Sequence, residues 1–191
     1  AWVRRQTEVP ARLFVALGIS SNLLTIFGFA LTVVPAYYLF TGQETLGAIW
    51  ILISSAFDMF DGAVARLTGK GSKFGAFWDS TLDRYSEFII FMGLMGWQMQ
   101  HLQTNNFRPD VLITLIALMG SLMVSYTRAR AEGLGFECKV GLFDRPVRII
   151  LLVFGLLGHQ LFWTLVILAV MTHVTTFQRI LHVYRSDQAP R

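Results

Sequence analysis

The chain has 191 residues, of which 54% are hydrophobic and 15% charged, and its formal charge is +4. So apolar a composition excludes an ordinary water-soluble domain of this length and points to packed membrane helices. Cys138 is the only cysteine, which excludes an intrachain disulfide.

Residues 1–20 are rich in arginine, contain Pro10 and lack the small-residue cleavage pattern of an export signal. They read as a juxtamembrane, interfacial amphipathic helix, with Arg4, Arg5 and Arg12 near lipid headgroups and Trp2, Val3, Leu13, Phe14 and Val15 dipping inward. Apolar runs then predict six transmembrane helices at 21–41, 45–67, 73–98, 109–130, 145–159 and 161–183. The fifth is short. The predicted fold is an all-α integral membrane protein: one domain over 1–191, with a six-helix bundle over 21–185.

Cations set the orientation. Arg4, Arg5, Arg12, Arg66, Lys70, Lys73, Arg128, Arg130, Lys139, Arg145, Arg148, Arg179, Arg185 and Arg191 map to one side, whereas the opposite loops hold only Arg108. The positive-inside rule puts both termini and the Lys70 turn in the cytoplasm, as in a multi-pass protein of the plasma membrane. Tyr37, Tyr38, Trp97 and Trp163 suit an aromatic belt.

The second and third spans carry Asp58, Asp61, Asp79 and Asp83. Intramembrane carboxylates are costly unless paired, hydrated or metal-bound, and four of them mark a site whose simplest partner is a metal. Asp58, Asp61 and Ala65 stand at i, i+3 and i+7 on one helical face, and Gly75, Asp79 and Asp83 at i, i+4 and i+8 on another. Gly69, Lys70, Gly71 and Ser72 form a turn signal, so the two helices are expected to make an antiparallel hairpin. Reflection about Lys70 sets Asp61 opposite Asp79 and Asp58 opposite Asp83, with all four roughly 12–18 Å from the turn. Gly62 and Gly75 beside them serve either close helix packing or the approach of a ligand to the backbone. Asn22 and Thr25, at the start of the first span, serve either as caps and interhelix partners or as ligand contacts.

Asp58, Asp61, Gly62, Ala65, Arg66, Gly75, Asp79 and Asp83 meet every fixed position of the pattern D-x2-D-G-x2-A-R-x8-G-x3-D-x3-D. This resembles the signature of the CDP-alcohol phosphotransferases, integral membrane enzymes of phospholipid synthesis. The resemblance implies a transferase in which a hydroxyl attacks the lipid-side phosphorus of CDP-diacylglycerol and CMP leaves. Asp58, Asp61, Asp79 and Asp83 would hold Mg²⁺ or Mn²⁺, with two ions expected, and Asp83 would act as general base. Arg66 would meet the nucleotide phosphates, and Gly62, Ala65 and Gly75 would make room for the nucleotide. Asn22 and Thr25 resemble the family's P-N-x-x-T opening, although Ser21 replaces its proline.

Ser125 to Glu132 and Asp144 to Arg148 are similar to segments of family members that use inositol phosphate as acceptor; Arg128, Asp144 and Val147 depart from those segments. On that likeness Ser125, Arg128 and Arg145 bind the acceptor phosphate, with Arg130, Lys139, Arg148 and Arg179 as further candidates. Glycerol-3-phosphate would also suit a basic pocket. A divalent-cation transporter and an intramembrane prenyltransferase are the alternatives from other classes. Transport fits poorly with arginines beside the carboxylates, and prenyl transfer is expected to need two widely separated motifs. The expected partners are CDP-diacylglycerol, a phosphorylated alcohol, membrane lipids and, by resemblance, a second copy in a homodimer; no nucleic-acid partner is expected.

Overall fold

In the computed structural model all regular structure among the described residues is helical, as backbone that must satisfy its hydrogen bonds inside a bilayer requires. The structure describes residues 10–69, 71–100 and 109–188; the expectations placed on Trp2, Val3, Arg4, Arg5, Lys70, Arg108 and Arg191 lie outside them. Helix α1, as far as it is described, covers 10–16. It is followed by α2 (Ser21–Leu31), α3 (Val33–Phe40), α4 (Glu44–Thr68), α5 (Lys73–Gln100), α6 (Pro109–Gly133), α7 (Arg145–Leu157) and α8 (Leu161–Gln188). The chain gathers into two units, one ending at Gly93 and one beginning at Leu94.

Four segments are long and apolar enough to cross a membrane: Ser21–Phe40, Glu44–Thr68, Pro109–Gly133 and Leu161–Gln188. The expected first span is two helices rather than one. Pro35 has no N–H to offer the Leu31 carbonyl, and its ring crowds that carbonyl, so the ladder breaks at Thr32. Thr32 tightens the break, its N–H and hydroxyl both reaching the Phe29 carbonyl at 3.0 and 2.6 Å. The expected fifth span, α7, has 13 residues. At about 1.5 Å per residue it is roughly 20 Å long, short of the roughly 30 Å hydrocarbon core. The expected third span, α5, has 28 residues and ample length, but Lys73, Asp79, Asp83, Arg84 and Glu87 dilute its apolar character.

In the first unit, α2 and α3 pack on α4. Gly47 of α4 lies under Leu39, where a Cβ would come within 2.6 Å of that side chain. Small residues let membrane helices approach closely in this way, and packing rather than water exclusion holds them together. Gly93 of α5 meets the Ala36 backbone in the same manner. Helix α1 buries Ala11 and packs Phe14 and Val15 toward Leu24, Ala63 and Val64. The Phe14 and Phe60 rings stand 5.8 Å apart. The opposite side of α1 exposes Arg12 and Leu13, and Leu17 in the turn after it is exposed as well, a pattern suited to a membrane surface.

In the second unit, α6 and α7 pack on α8. Gly120 of α6 sits beneath Thr172 and His173, and Gly155 of α7 beneath Thr164. A short turn with His159 at φ 53° joins α7 to α8. Cys138 is wholly buried in the segment between α6 and α7.

Candidate active site

The turn between α4 and α5 is built from its own sequence. Gly69 ends α4 at φ 63°, a left-handed conformation that glycine reaches without a Cβ penalty. Ser72 then accepts a hydrogen bond from the Gly75 N–H at 2.9 Å, capping the start of α5. At the start of α2 the cap is Ser20, whose hydroxyl accepts from Leu23 N–H at 3.3 Å.

These helix starts border a cavity of about 190 Å³ that includes Asn22, Thr25, Asp61, Gly62, Gly75 and Asp79 in its lining. Asp61 and Asp79, placed opposite each other by their distance from the turn, thus meet one space from two helices. A neighbouring cavity of about 300 Å³ shares Ser21, Asn22 and Ser72 with the first and extends toward Val15 and Ile19.

Asp61 is 4% exposed and accepts a hydrogen bond from the Thr25 hydroxyl at 2.7 Å. Asp79 and Asp58 are close enough for their charges to bear on it. A buried carboxylate beside two others requires donors or a cation, and Thr25 is one such donor. Thr25 therefore takes the role of partner to a neighbouring helix, and Asn22 places its Oδ1 where a Cβ on Gly75 would lie 3.2 Å away.

The other two aspartates stand apart from this cavity's lining. Asp58 reaches toward α2, where a Cβ on Gly28 would lie 2.9 Å from its Oδ1. Gly28 is absent from any motif reading, and its only sequence signal is position: it lies three residues after Thr25 on the same helical face. Asp83 pairs with Arg84 at 3.3 Å, and Arg84 also donates to the Ser80 carbonyl at 2.9 Å. Among the described residues no three acidic, histidine or cysteine side chains stand close enough to hold a metal by themselves. Two of the four aspartates have protein partners at hand, Thr25 for Asp61 and Arg84 for Asp83. Their chemistry still fits a hard divalent cation: the donors are all oxygen, and Mg²⁺ commonly takes only one or two carboxylates, with substrate phosphates completing its shell. Arg66 is exposed, and its Nη1 lies 3.3 Å from where a Cβ on Gly62 would stand, so the glycine gives the guanidinium a path along the helix.

The residues expected to bind the acceptor lie in the second unit. Ser125 donates weakly to the Ser121 carbonyl at 3.4 Å, Arg128 pairs with Glu132 at 2.9 Å, and Lys139 pairs with Glu137. Arg130 is exposed and shares a small surface pocket with Arg179. Arg145 opens α7, with Pro146 beside it. Arg148 and Arg179 are nearly inaccessible, at 3% and 1% exposure, and both serve the backbone: Arg148 donates to the Phe143 carbonyl at 3.0 Å. Arg179 donates to the carbonyls of Val140 and Val124 and to the Asp144 carboxylate. Both are further candidates for the acceptor phosphate on the family likeness, and their burial is a feature that charge in a sequence does not disclose. His173 hydrogen-bonds the Ala169 carbonyl at 2.8 Å from an exposed position on α8.

Comparison with known proteins places this geometry. Residues 19–178 match the family model for CDP-alcohol phosphatidyltransferase. The chain is 34% identical over 184 residues to the archaetidylinositol phosphate synthase of Pyrococcus horikoshii, covering 93% of this chain and 90% of that one. The crystal structure of Mycobacterium tuberculosis phosphatidylinositol phosphate synthase with CDP-DAG bound superposes with a TM-score of 0.86 at 34% identity, covering 94% of each chain. The structure of the same enzyme with manganese and citrate gives 0.85 at 35% identity, covering 93% of this chain and 88% of that one.

Proposed function

The chain belongs to the CDP-alcohol phosphatidyltransferase family, and from that premise we propose that it transfers a phosphatidyl group from CDP-diacylglycerol to inositol phosphate, releasing CMP. The observation that carries this reading is the cavity in which Asp61 and Asp79 meet from two helices beside Thr25, Asn22 and Gly75. The names of the Pyrococcus and Mycobacterium relatives agree on an inositol phosphate headgroup and differ in the lipid that bears it. That agreement favours inositol phosphate over glycerol-3-phosphate, while a donor with archaeal ether chains is the second reading.

In the reaction the acceptor hydroxyl forms a bond to the lipid-side phosphorus and the bridging P–O bond to CMP breaks. Asp83 takes the hydroxyl proton, and Arg66 with the hydroxyl-capped starts of α2 and α5 faces the diphosphate. Asp58, Asp61, Asp79 and Asp83 would hold Mg²⁺ or Mn²⁺, two ions by family resemblance; the manganese complex of the mycobacterial enzyme supports a divalent metal. When bound, such ions draw off the charge that builds on the departing phosphate. Thr25 orients Asp61, and Gly62, Ala65 and Gly75 keep the nucleotide space open. Ser125, Arg128 and Arg145 receive the acceptor phosphate, with Arg130, Lys139, Arg148 and Arg179 as further candidates that add positive potential.

The family match crosses the division between the two units, which supports one functional domain over 1–191. In this reading α5 and α7 join the four longer segments in six membrane crossings, Arg145 at the start of the short α7 easing it toward the headgroups. The one-sided basic residues favour cytoplasmic termini and a cytoplasm-facing site in the plasma membrane, and a homodimer follows from the family resemblance.

Purified protein supplied with CDP-diacylglycerol and competing labelled acceptors tests the reading. The expected result is phosphatidylinositol phosphate with equimolar CMP, abolished by chelator and restored by Mg²⁺ or Mn²⁺. Exclusive use of glycerol-3-phosphate, or turnover insensitive to chelator, would overturn it.

A further inference from the structure

The segment between α6 and α7 lacks helix or strand of its own, yet it is held along its length by one helix. Three side chains of α8 do this: the His182 ring hydrogen-bonds the Glu137 carbonyl at 2.9 Å, Arg179 Nε donates to the Val140 carbonyl at 2.9 Å, and the Thr175 hydroxyl accepts from the Phe143 N–H at 3.2 Å. Residues 175, 179 and 182 are spaced i, i+4 and i+7, so a single face of α8 supplies all three; Arg148 of α7 adds a bond to the Phe143 carbonyl at 3.0 Å. Thr175 is fully buried and Arg179 nearly so, whereas His182 is at the exposed end of the row.

Gly141 lets the segment lie this close. Its φ is 116°, which side chains rarely adopt, and a Cβ there would stand 2.5 Å from the Thr175 methyl and 3.4 Å from Arg179 Nε. Arg179 extends the row to both neighbouring helices. One guanidinium nitrogen reaches the Val124 carbonyl, and another reaches the Asp144 carboxylate at 2.6 Å. Asp144 occupies the N-cap position of α7 but makes no side-chain cap bond, its Oδ1 accepting from Arg179 instead. Val124 directly precedes Ser125, and Asp144 directly precedes Arg145.

We propose that Thr175 and His182, on the face of α8 that closes over Gly141, are positioning residues that fix the separation of Ser125 and Arg145 and so set affinity for the phosphorylated acceptor. The inference deepens the acceptor reading above and rests on it. Thr175 and His182 act through the segment they hold. Loosening either tie frees the start of α7 relative to the end of α6 while leaving Asp61 and Asp79, which belong to the other unit, with their own partners.

Steady-state kinetics on the full chain in lipid nanodiscs test this, using whichever phosphorylated acceptor the wild type turns over best. Thr175→Val and His182→Ala are each expected to raise the acceptor KM at least fivefold, with the KM for CDP-diacylglycerol and the half-saturating Mn²⁺ concentration within twofold of wild type. Thr175→Ser, which keeps the hydroxyl, is expected to restore the acceptor KM, and Gly141→Ala to behave like Thr175→Val. Should Thr175→Val fail to fold, His182→Ala, at the exposed end, carries the test. An acceptor KM within twofold of wild type in His182→Ala, or a rise in both substrate KM values together, would overturn the positioning role. A wild type that uses no phosphorylated acceptor would instead defeat the functional reading.

Discussion

Thr25→Val removes a single hydroxyl from the candidate site while keeping nearly the same shape. Thr25 is 6% exposed, and its hydroxyl stands 2.7 Å from Asp61 Oδ2 and 3.0 Å from the Ser21 carbonyl. It has one hydrogen to give, and the shorter, charge-assisted contact to the carboxylate takes it. A hydrogen bond to a charged group contributes about 1.5–3 kcal/mol. A carboxylate has about four lone-pair sites, so this bond orients Asp61 and leaves room for a cation. Without it, a carboxylate that feels Asp58 and Asp79 turns toward other donors. At about 1.4 kcal/mol per tenfold, the loss corresponds to roughly a ten- to hundredfold weaker hold on the metal. The assay is Mn²⁺ titration, read both by turnover and by direct binding through the Mn²⁺ electron paramagnetic resonance signal. Half-saturation is expected to rise at least about tenfold in both for Thr25→Val, and by less than about threefold for Thr25→Ser. Wild-type half-saturation in the valine variant, or equal damage in the serine variant, would refute the orienting role.

Two further outcomes bear on the other aspartates. Asp83→Asn is expected to cut turnover by about 10²–10⁴, the usual worth of a positioned general base, while CMP still binds in equilibrium titration; turnover near wild type would remove Asp83 from the chemistry. Gly28→Ala sets a Cβ 2.9 Å from Asp58 Oδ1. A flexible carboxylate gives way cheaply and alanine favours a helix by about 1 kcal/mol over glycine, so the thermal midpoint is expected to hold or rise while the Mn²⁺ requirement increases severalfold. An unchanged metal requirement would exclude Asp58 as a ligand.

The sequence alone determined the helical, membrane-embedded class and the pairing of Asp61 with Asp79. Both rest on local rules: apolar run length for the first, and for the second a 3.6-residue period read outward from a glycine turn that Gly69 and Ser72 form as expected. Pro35 was legible as a helix breaker, yet its place inside a long apolar run hid the break at Thr32. What the tertiary structure decided were the partners across helices. The sequence offered Thr25 as a cap, an interhelix partner or a ligand contact, and only the packing of α2 on α4 set its hydroxyl against Asp61; Gly28 gained its importance only through Asp58 of the neighbouring helix. Arg179 reads in the sequence as one more candidate cation for the acceptor phosphate, and only packing shows it buried against the α6–α7 segment with its nitrogens on carbonyls and a carboxylate. Such roles join residues tens of positions apart, and no periodicity within a single helix encodes which distant side chain will stand opposite.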